Sequence, residues 1–98
     1  MPKAYWINTF TVVTDQARLA DYIALAGPAM VAAGGRFLAR GNPAYAFESG
    51  TTERTTLIEF DSVEQARDAY HSPAYQRALQ ALADGAVREI RIIEAIGP

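Results

Sequence analysis

His71 is the only histidine in the chain, and an imidazole is the side chain best suited to act as a general base near neutral pH. It stands at an interruption between two helical stretches, His71-Ser72-Pro73, where a surface or capping position is the commoner role. Glu59 is flanked by Ile58 and Phe60. A carboxylate among apolar neighbours is either desolvated, which raises its pKa and makes an acid-base group of it, or neutralised by an arginine. Under strict strand alternation Arg36 and Arg40 share one face, with Leu38 between them. Such a pair can clamp a carboxylate or phosphate bidentately, or can pair with Glu59 or Glu94 across a dimer. Tyr22, Tyr70 and Tyr75 project from helices; aromatics at helical spacing are mostly core, but a phenol that borders a cavity can orient a carbonyl or phenolic substrate. Asn8 is a poor strand former set mid-strand among apolar residues, so it lines a pocket or bonds a bulged backbone. Glu59 and His71 are thus the catalytic candidates, and Asn8, Tyr22, Arg36, Arg40, Tyr70 and Tyr75 the ligand-binding ones.

Composition narrows the chemistry. The chain has no cysteine, which removes disulfides, thiolate catalysis and cysteine-type zinc sites. With one histidine and no clustered carboxylates at ligand spacing, no metal site is expected, and no cofactor. The net charge of −2 is spread along the sequence, so there is no electrostatic footprint for nucleic acid or a membrane surface. Met1-Pro2-Lys3-Ala4-Tyr5-Trp6 runs straight into a strand-like segment without a signal-peptide core, and cytoplasm is the expected location. No nucleotide-binding glycine pattern, nucleophile elbow or metalloprotease pattern occurs.

The elements that must position these residues follow from periodicity. Ala4 to Val13 reads as a central strand, with Trp6, Phe10 and Val12 on one face and Tyr5, Ile7, Thr9 and Val13 on the other. Thr14-Asp15 starts a helix whose stripe is Leu19, Ile23, Ala26, Met30 and Ala33. Pro28 predicts a kink or break near Gly27, and Gly34-Gly35 the end. Arg36 to Arg40 and Glu53 to Phe60 are strands, with a weaker alternating segment over Ala44 to Glu48. Ser62 and Gln65 fit a capping box, and Ser72-Pro73 a helix restart carrying Tyr75, Ala78, Leu79 and Leu82. Val87 to Ile96 is the last strand.

The order is β-α-β-β-α-β, a ferredoxin-like α+β arrangement with an antiparallel sheet, as one domain over residues 1–98. Two helices cover one sheet face. The other face is also apolar on the first and last strands, several hundred Å² that mark an interaction site. Covering it is worth on the order of 10 kcal/mol before association costs, and a two-fold homodimer is the simplest way to do so.

Lys3-Ala4-Tyr5-Trp6-Ile7, Gly34-Gly35-Arg36-Phe37-Leu38-Ala39-Arg40-Gly41, Glu53-Arg54 before Leu57-Ile58-Glu59-Phe60, and Ala69-Tyr70-His71-Ser72-Pro73-Ala74-Tyr75-Gln76 occur in this order. Together they resemble domain-of-unknown-function family 1330 of the dimeric α/β barrel superfamily. The resemblance spans essentially the whole chain and implies a dimeric barrel built from two ferredoxin-like subunits. The superfamily includes cofactor-free monooxygenases, haem-degrading enzymes, lactone isomerases and dehydratases, with small-molecule pockets between helices and sheet. The haem-degrading pattern is not matched: Asn8 agrees in kind, but Tyr70 stands where a tryptophan would, and Leu79 where the haem-binding histidine would.

Three functions remain. The first is a cofactor-independent small-molecule enzyme of isomerase, lyase or monooxygenase type, which predicts a cavity holding Glu59 or His71 with a tyrosine or arginine. The second is a non-catalytic small-ligand-binding module with the same cavity. The third is a structural homodimer with a packed interior. The first ranks ahead of the second, and fold alone does not choose between them.

Overall fold

A computed structural model describes residues 2–97. The elements are β1 (Ala4–Val13), α1 (Gln16–Ala32), β2 (Arg36–Gly41), β3 (Thr55–Phe60), α2 (Val63–His71), α3 (Pro73–Leu82) and β4 (Ala86–Glu94). They form a ferredoxin-like α+β fold. The four strands are antiparallel in the order β2-β3-β1-β4, so β1 is central, as its two apolar faces require. Trp6, Phe10, Ile58 and Phe60 from the sheet pack against Leu19, Tyr22, Met30, Tyr75 and Leu82 from the helices.

Each helix starts where a side chain can satisfy the orphan amides. Asp15 accepts from the Arg18 amide at 3.0 Å, and Ser62 from the Gln65 amide at 3.0 Å. Gln65 Oε1 in turn accepts from the Asp61 amide at 2.7 Å. Ser72 closes α2 and caps α3, with Pro73 in the first turn of the restart. That break turns the chain so that Tyr70 and Tyr75 both reach Trp6, with ring centroids 6.1 and 5.3 Å away.

Pro28 does not break α1, which runs without interruption through it. The residue before a proline is normally driven out of helical geometry by a clash with its own Cβ. Gly27 has none, which removes that clash and leaves the missing amide donor and the ring's approach to the Ala24 carbonyl. Tyr22 rather than Ile23 is the fully buried member of that turn. Ala44 to Glu48 is not a strand; it belongs to the β2–β3 loop, where Tyr45 and Phe47 stack on each other in solvent.

Two bulges reset the faces of the sheet. In β1 the register slips between Phe10 and Val12, which turns Val12 outward to 46% exposure and brings Val13 against the core. Alternation had assigned these two the other way round. In β2 the slip lies between Phe37 and Ala39. Arg36 pairs with Glu59 and Arg40 with Thr56, so the two arginines stand on opposite faces. An extra residue in one strand inverts every side chain beyond it.

Candidate functional site

A cavity of about 30 Å³ lies between α1 and the sheet. It has room for two or three waters, each needing roughly 10–15 Å³. Its floor is aromatic and aliphatic, with Trp6, Phe10, Met30 and Ile58; its polar groups are Asn8, Thr56, Tyr22 and Tyr75, and Arg40 and Arg54 stand at its mouth. Arg40 lies over the Phe37 ring at 4.6 Å. A methyl placed on Gly27 would sit 4.0 Å from Arg40 Nη1, an ordinary van der Waals contact, so the guanidinium rests close to the α1 backbone there.

Asn8 comes from the centre of β1, opposite Thr56 on β3 and Ile90 on β4. It is 4% exposed, and its Oδ1 has no hydrogen-bond partner among the described residues. A buried acceptor left unmade costs about 1–3 kcal/mol, a cost that a water or a ligand hydroxyl in the cavity would remove.

Tyr22 from α1 and Tyr75 from α3 meet with their hydroxyl oxygens 2.7 Å apart, and Arg88 Nη1 donates to the Tyr22 oxygen at 2.7 Å. Two phenols hold two protons, and the contact between them uses one. Whichever phenol donates, one O–H remains for another acceptor, and both phenols border the cavity. Burial, then the neighbouring Tyr22, pushes the Tyr75 phenol well above the ordinary phenol range, with Arg88 opposing. Tyr75 therefore stays a neutral donor. For Arg88 burial works against the charge, but the Tyr22 and Tyr75 oxygens outweigh it and its pKa lies above the ordinary guanidinium value. The cavity thus presents an unpaired acceptor, a spare phenol donor and a cationic mouth on an apolar floor.

The other candidates lie elsewhere. Glu59 is on the sheet face turned away from the helices. It accepts from Arg36 Nε at 2.9 Å and has Lys3 Nζ at 3.9 Å, so the ion-paired alternative holds and no part of it lines the cavity. Arg36 also donates to Asp61 at 3.0 Å. These hydrogen bonds, Glu59 first, raise the Arg36 pKa, and the Arg36 hydrogen bond lowers that of Asp61. His71 is exposed at the end of α2 with its ring edge-on to Tyr70. Tyr70 lies outside the cavity, on a groove beside β4. The structure therefore gathers Asn8, Tyr22, Tyr75 and Arg40, and leaves Glu59, His71, Arg36 and Tyr70 outside. Arg88, Arg54 and Thr56 were not among the candidates. Arg88 carried a signal, since counting back by two from Ile92 and Ile90 puts it on the apolar face of β4.

Among the described residues no His, Asp and Glu stand together in a group of three that could hold a metal. No helix is long and apolar enough to cross a membrane.

No curated protein matches the sequence. Among solved structures, the chain is similar to a protein of unknown function from Rhodopseudomonas palustris, at 15% identity and a TM-score of 0.74, over 99% of this chain and 85% of that one. SnoaB, a cofactor-independent oxygenase from Streptomyces nogalater, is 15% identical with a TM-score of 0.70, over 100% and 97%. A dimeric ferredoxin-like protein of unknown function from Thermobifida fusca is 14% identical with a TM-score of 0.67, over 96% and 92%. The sequence itself matches one family profile across residues 3–96, and the chain belongs to that family, Domain of unknown function (DUF1330).

Proposed function

We propose that the chain is a cofactor-independent enzyme acting on a small phenolic or carbonyl compound held between α1 and the sheet, by isomerase, lyase or monooxygenase chemistry. The observation that carries this reading is the unpartnered Asn8 Oδ1 facing an aromatic-lined cavity. A substrate hydroxyl donates to Asn8, and a substrate carbonyl accepts the spare phenol proton of the Tyr22–Tyr75 pair. These reactions share a first step, loss of a proton from the substrate to leave an enolate or phenolate. Among the described residues no carboxylate or imidazole lines the cavity, so the proton passes to water. The chain's share is to favour the anion, through the phenol donor backed by Arg88 and the arginines at the mouth. SnoaB, with the same fold, supports the activity type.

4-Nitrophenol tests this reading, because its anion is coloured and Trp6, the sole tryptophan, lines the cavity. Binding should quench Trp6 and lower the apparent pKa of the bound phenol. Asn8→Ala should weaken the quench by the protonated phenol while lowering its bound pKa further, because Asn8 accepts only from the neutral form. Unchanged fluorescence together with an unshifted absorbance titration would sink it.

The lining favours a second reading, a module that binds without catalysis, because neither Glu59 nor His71 enters the cavity as the enzyme reading expected. Drug-sized sites run to roughly 300–1,000 Å³, so a ligand of that size would have to displace side chains at the mouth, Arg40 among them. Binding without turnover of any phenol or β-dicarbonyl tried would favour it. In either reading we assign the outer sheet face to a second copy of the chain. Tyr5, Ile7, Leu57 and Ile93 form its apolar part, beside a Glu89–Arg91 ion pair of 3.1 Å. The Thermobifida fusca neighbour, described as dimeric, supports this. A monomer at every concentration in sedimentation would overturn it.

A further inference from the structure

We propose that a second site, on the far side of Arg88 from the cavity, binds the carboxylate of a small aromatic or aliphatic acid. A groove of about 440 Å³ runs beside the edge strand β4, lined by Tyr70, Arg88, Ile90 and Ile92. It shares no lining residue with the cavity, and its volume is that of a small-molecule site.

Arg88 is the feature that calls for a ligand. Its guanidinium is held in place, 4.6 Å above the Tyr22 ring and 5.6 Å from that of Phe10. Nη1 is committed to Tyr22. Among the described residues its one direct hydrogen bond is to Tyr22, Tyr75 is its other close polar neighbour, and no carboxylate forms an ion pair with it. Among the described residues Arg18, Arg36, Arg67 and Arg91 have acidic partners and Arg40, Arg54 and Arg77 do not; what sets Arg88 apart is that its guanidinium is fixed by Tyr22 and faces the groove. The Arg88 side chain is part-buried and its free donors still reach solvent, so an acidic neighbour would strengthen its neutralisation rather than be required for it. Here the neighbour is missing and a planar two-donor edge is left over, the geometry that a carboxylate fits. Ile90, Ile92 and the Tyr70 ring supply the rest of the groove. One cation among apolar walls suits a monoanion with an apolar body better than a phosphate dianion. The site stands on Arg88 and the groove alone, whatever the cavity does.

Benzoate, with benzamide as its neutral counterpart and inorganic phosphate as the competing anion, tests this by calorimetry and by the Arg88 Nε–Hε resonance in a nitrogen-15 spectrum. Benzoate should bind and move that resonance, with benzamide and phosphate each at least tenfold weaker. Arg88→Gln should lose at least tenfold in benzoate affinity, and Arg40→Gln, which removes a cation that would hold a carboxylate in the cavity, should keep it. That last comparison separates this site from the cavity. Equal affinity for benzoate and benzamide, phosphate binding as tightly, or an unmoved Arg88 resonance would overturn the assignment. These readouts use the natural chain, so they decide the matter even if Arg88→Gln does not fold, and Arg88→Lys then serves as the variant.

Discussion

The hydroxyls of Tyr22 and Tyr75 lie 2.7 Å apart in the interior, although 53 positions separate them in the sequence. Tyr22 also accepts from Arg88, so the two phenols are unequal: one takes the direct 2.7 Å bond from the guanidinium, and the other lies beside the same cation without a bond of that kind.

Removing the hydroxyls should expose that inequality. A hydrogen bond to a charged group contributes about 1.5–3 kcal/mol and a neutral one about 1 kcal/mol. Tyr22→Phe should therefore destabilise the fold more than Tyr75→Phe in urea unfolding. The double variant should cost less than the sum of the two, because both single changes break the same contact. Equal single costs that add in full would contradict the bonding scheme.

Alkaline stability should depend on Tyr75. Burial first, then Tyr22, holds its folded-state pKa above the unfolded value of 10.0. The folded state thus keeps a proton that the unfolded state releases. The contribution is complete below pH 10 and declines as pH rises above it towards the folded value. The urea midpoint should fall between pH 9 and pH 11 for the natural chain, and fall less for Tyr75→Phe. Phenolate absorbance in native protein should show Tyr75 un-ionised until unfolding.

Most of the architecture was legible because each element carried a local signal. The apolar alternation of β1, the Ser62–Gln65 capping box and the Ser72-Pro73 restart all specify structure within a few residues. What alternation could not reveal was the pair of bulges at Phe10/Val12 and Phe37/Ala39. A bulge depends on how many residues the partner strand offers, which no single strand records. That is why Arg36 and Arg40 seemed to form one clamp, and why Val12 and Val13 exchange faces. Asn8 was readable as an anomaly, an amide amid apolar neighbours. The Tyr22–Tyr75–Arg88 chain was not, since it joins α1, α3 and β4 through contacts with no trace in spacing.

The Arg36–Asp61 pair makes an acid-side prediction. The Arg36 hydrogen bond, then its charge, holds the Asp61 carboxyl below its ordinary 3.8. Its contribution is present above that value and is lost as pH falls through the depressed folded-state pKa. In Arg36→Gln the Asp61 carboxyl should titrate closer to its ordinary value, as followed by carbon-13 shifts. Because the pair is exposed, 0.5 M salt should shrink the difference.

The placement of Glu59 and His71 outside the cavity separates them from Asn8 in a way that one set of variants can read. Glu59→Gln and His71→Ala should leave 4-nitrophenol binding within about twofold of the natural chain, since neither side chain lines the cavity. Asn8→Leu should act on stability and binding in opposite directions. It replaces a buried acceptor that has no partner with an apolar group of similar size. Relieving the unmet hydrogen bond should raise the stability of the ligand-free protein by about 1–3 kcal/mol, while removing the acceptor that a substrate hydroxyl needs. A protein that grows more stable to urea as it loses its ligand is what a binding residue predicts. If Asn8→Leu instead destabilises the chain, the amide serves the fold through a contact of its own, and the cavity loses the acceptor on which its reading as a substrate site depends.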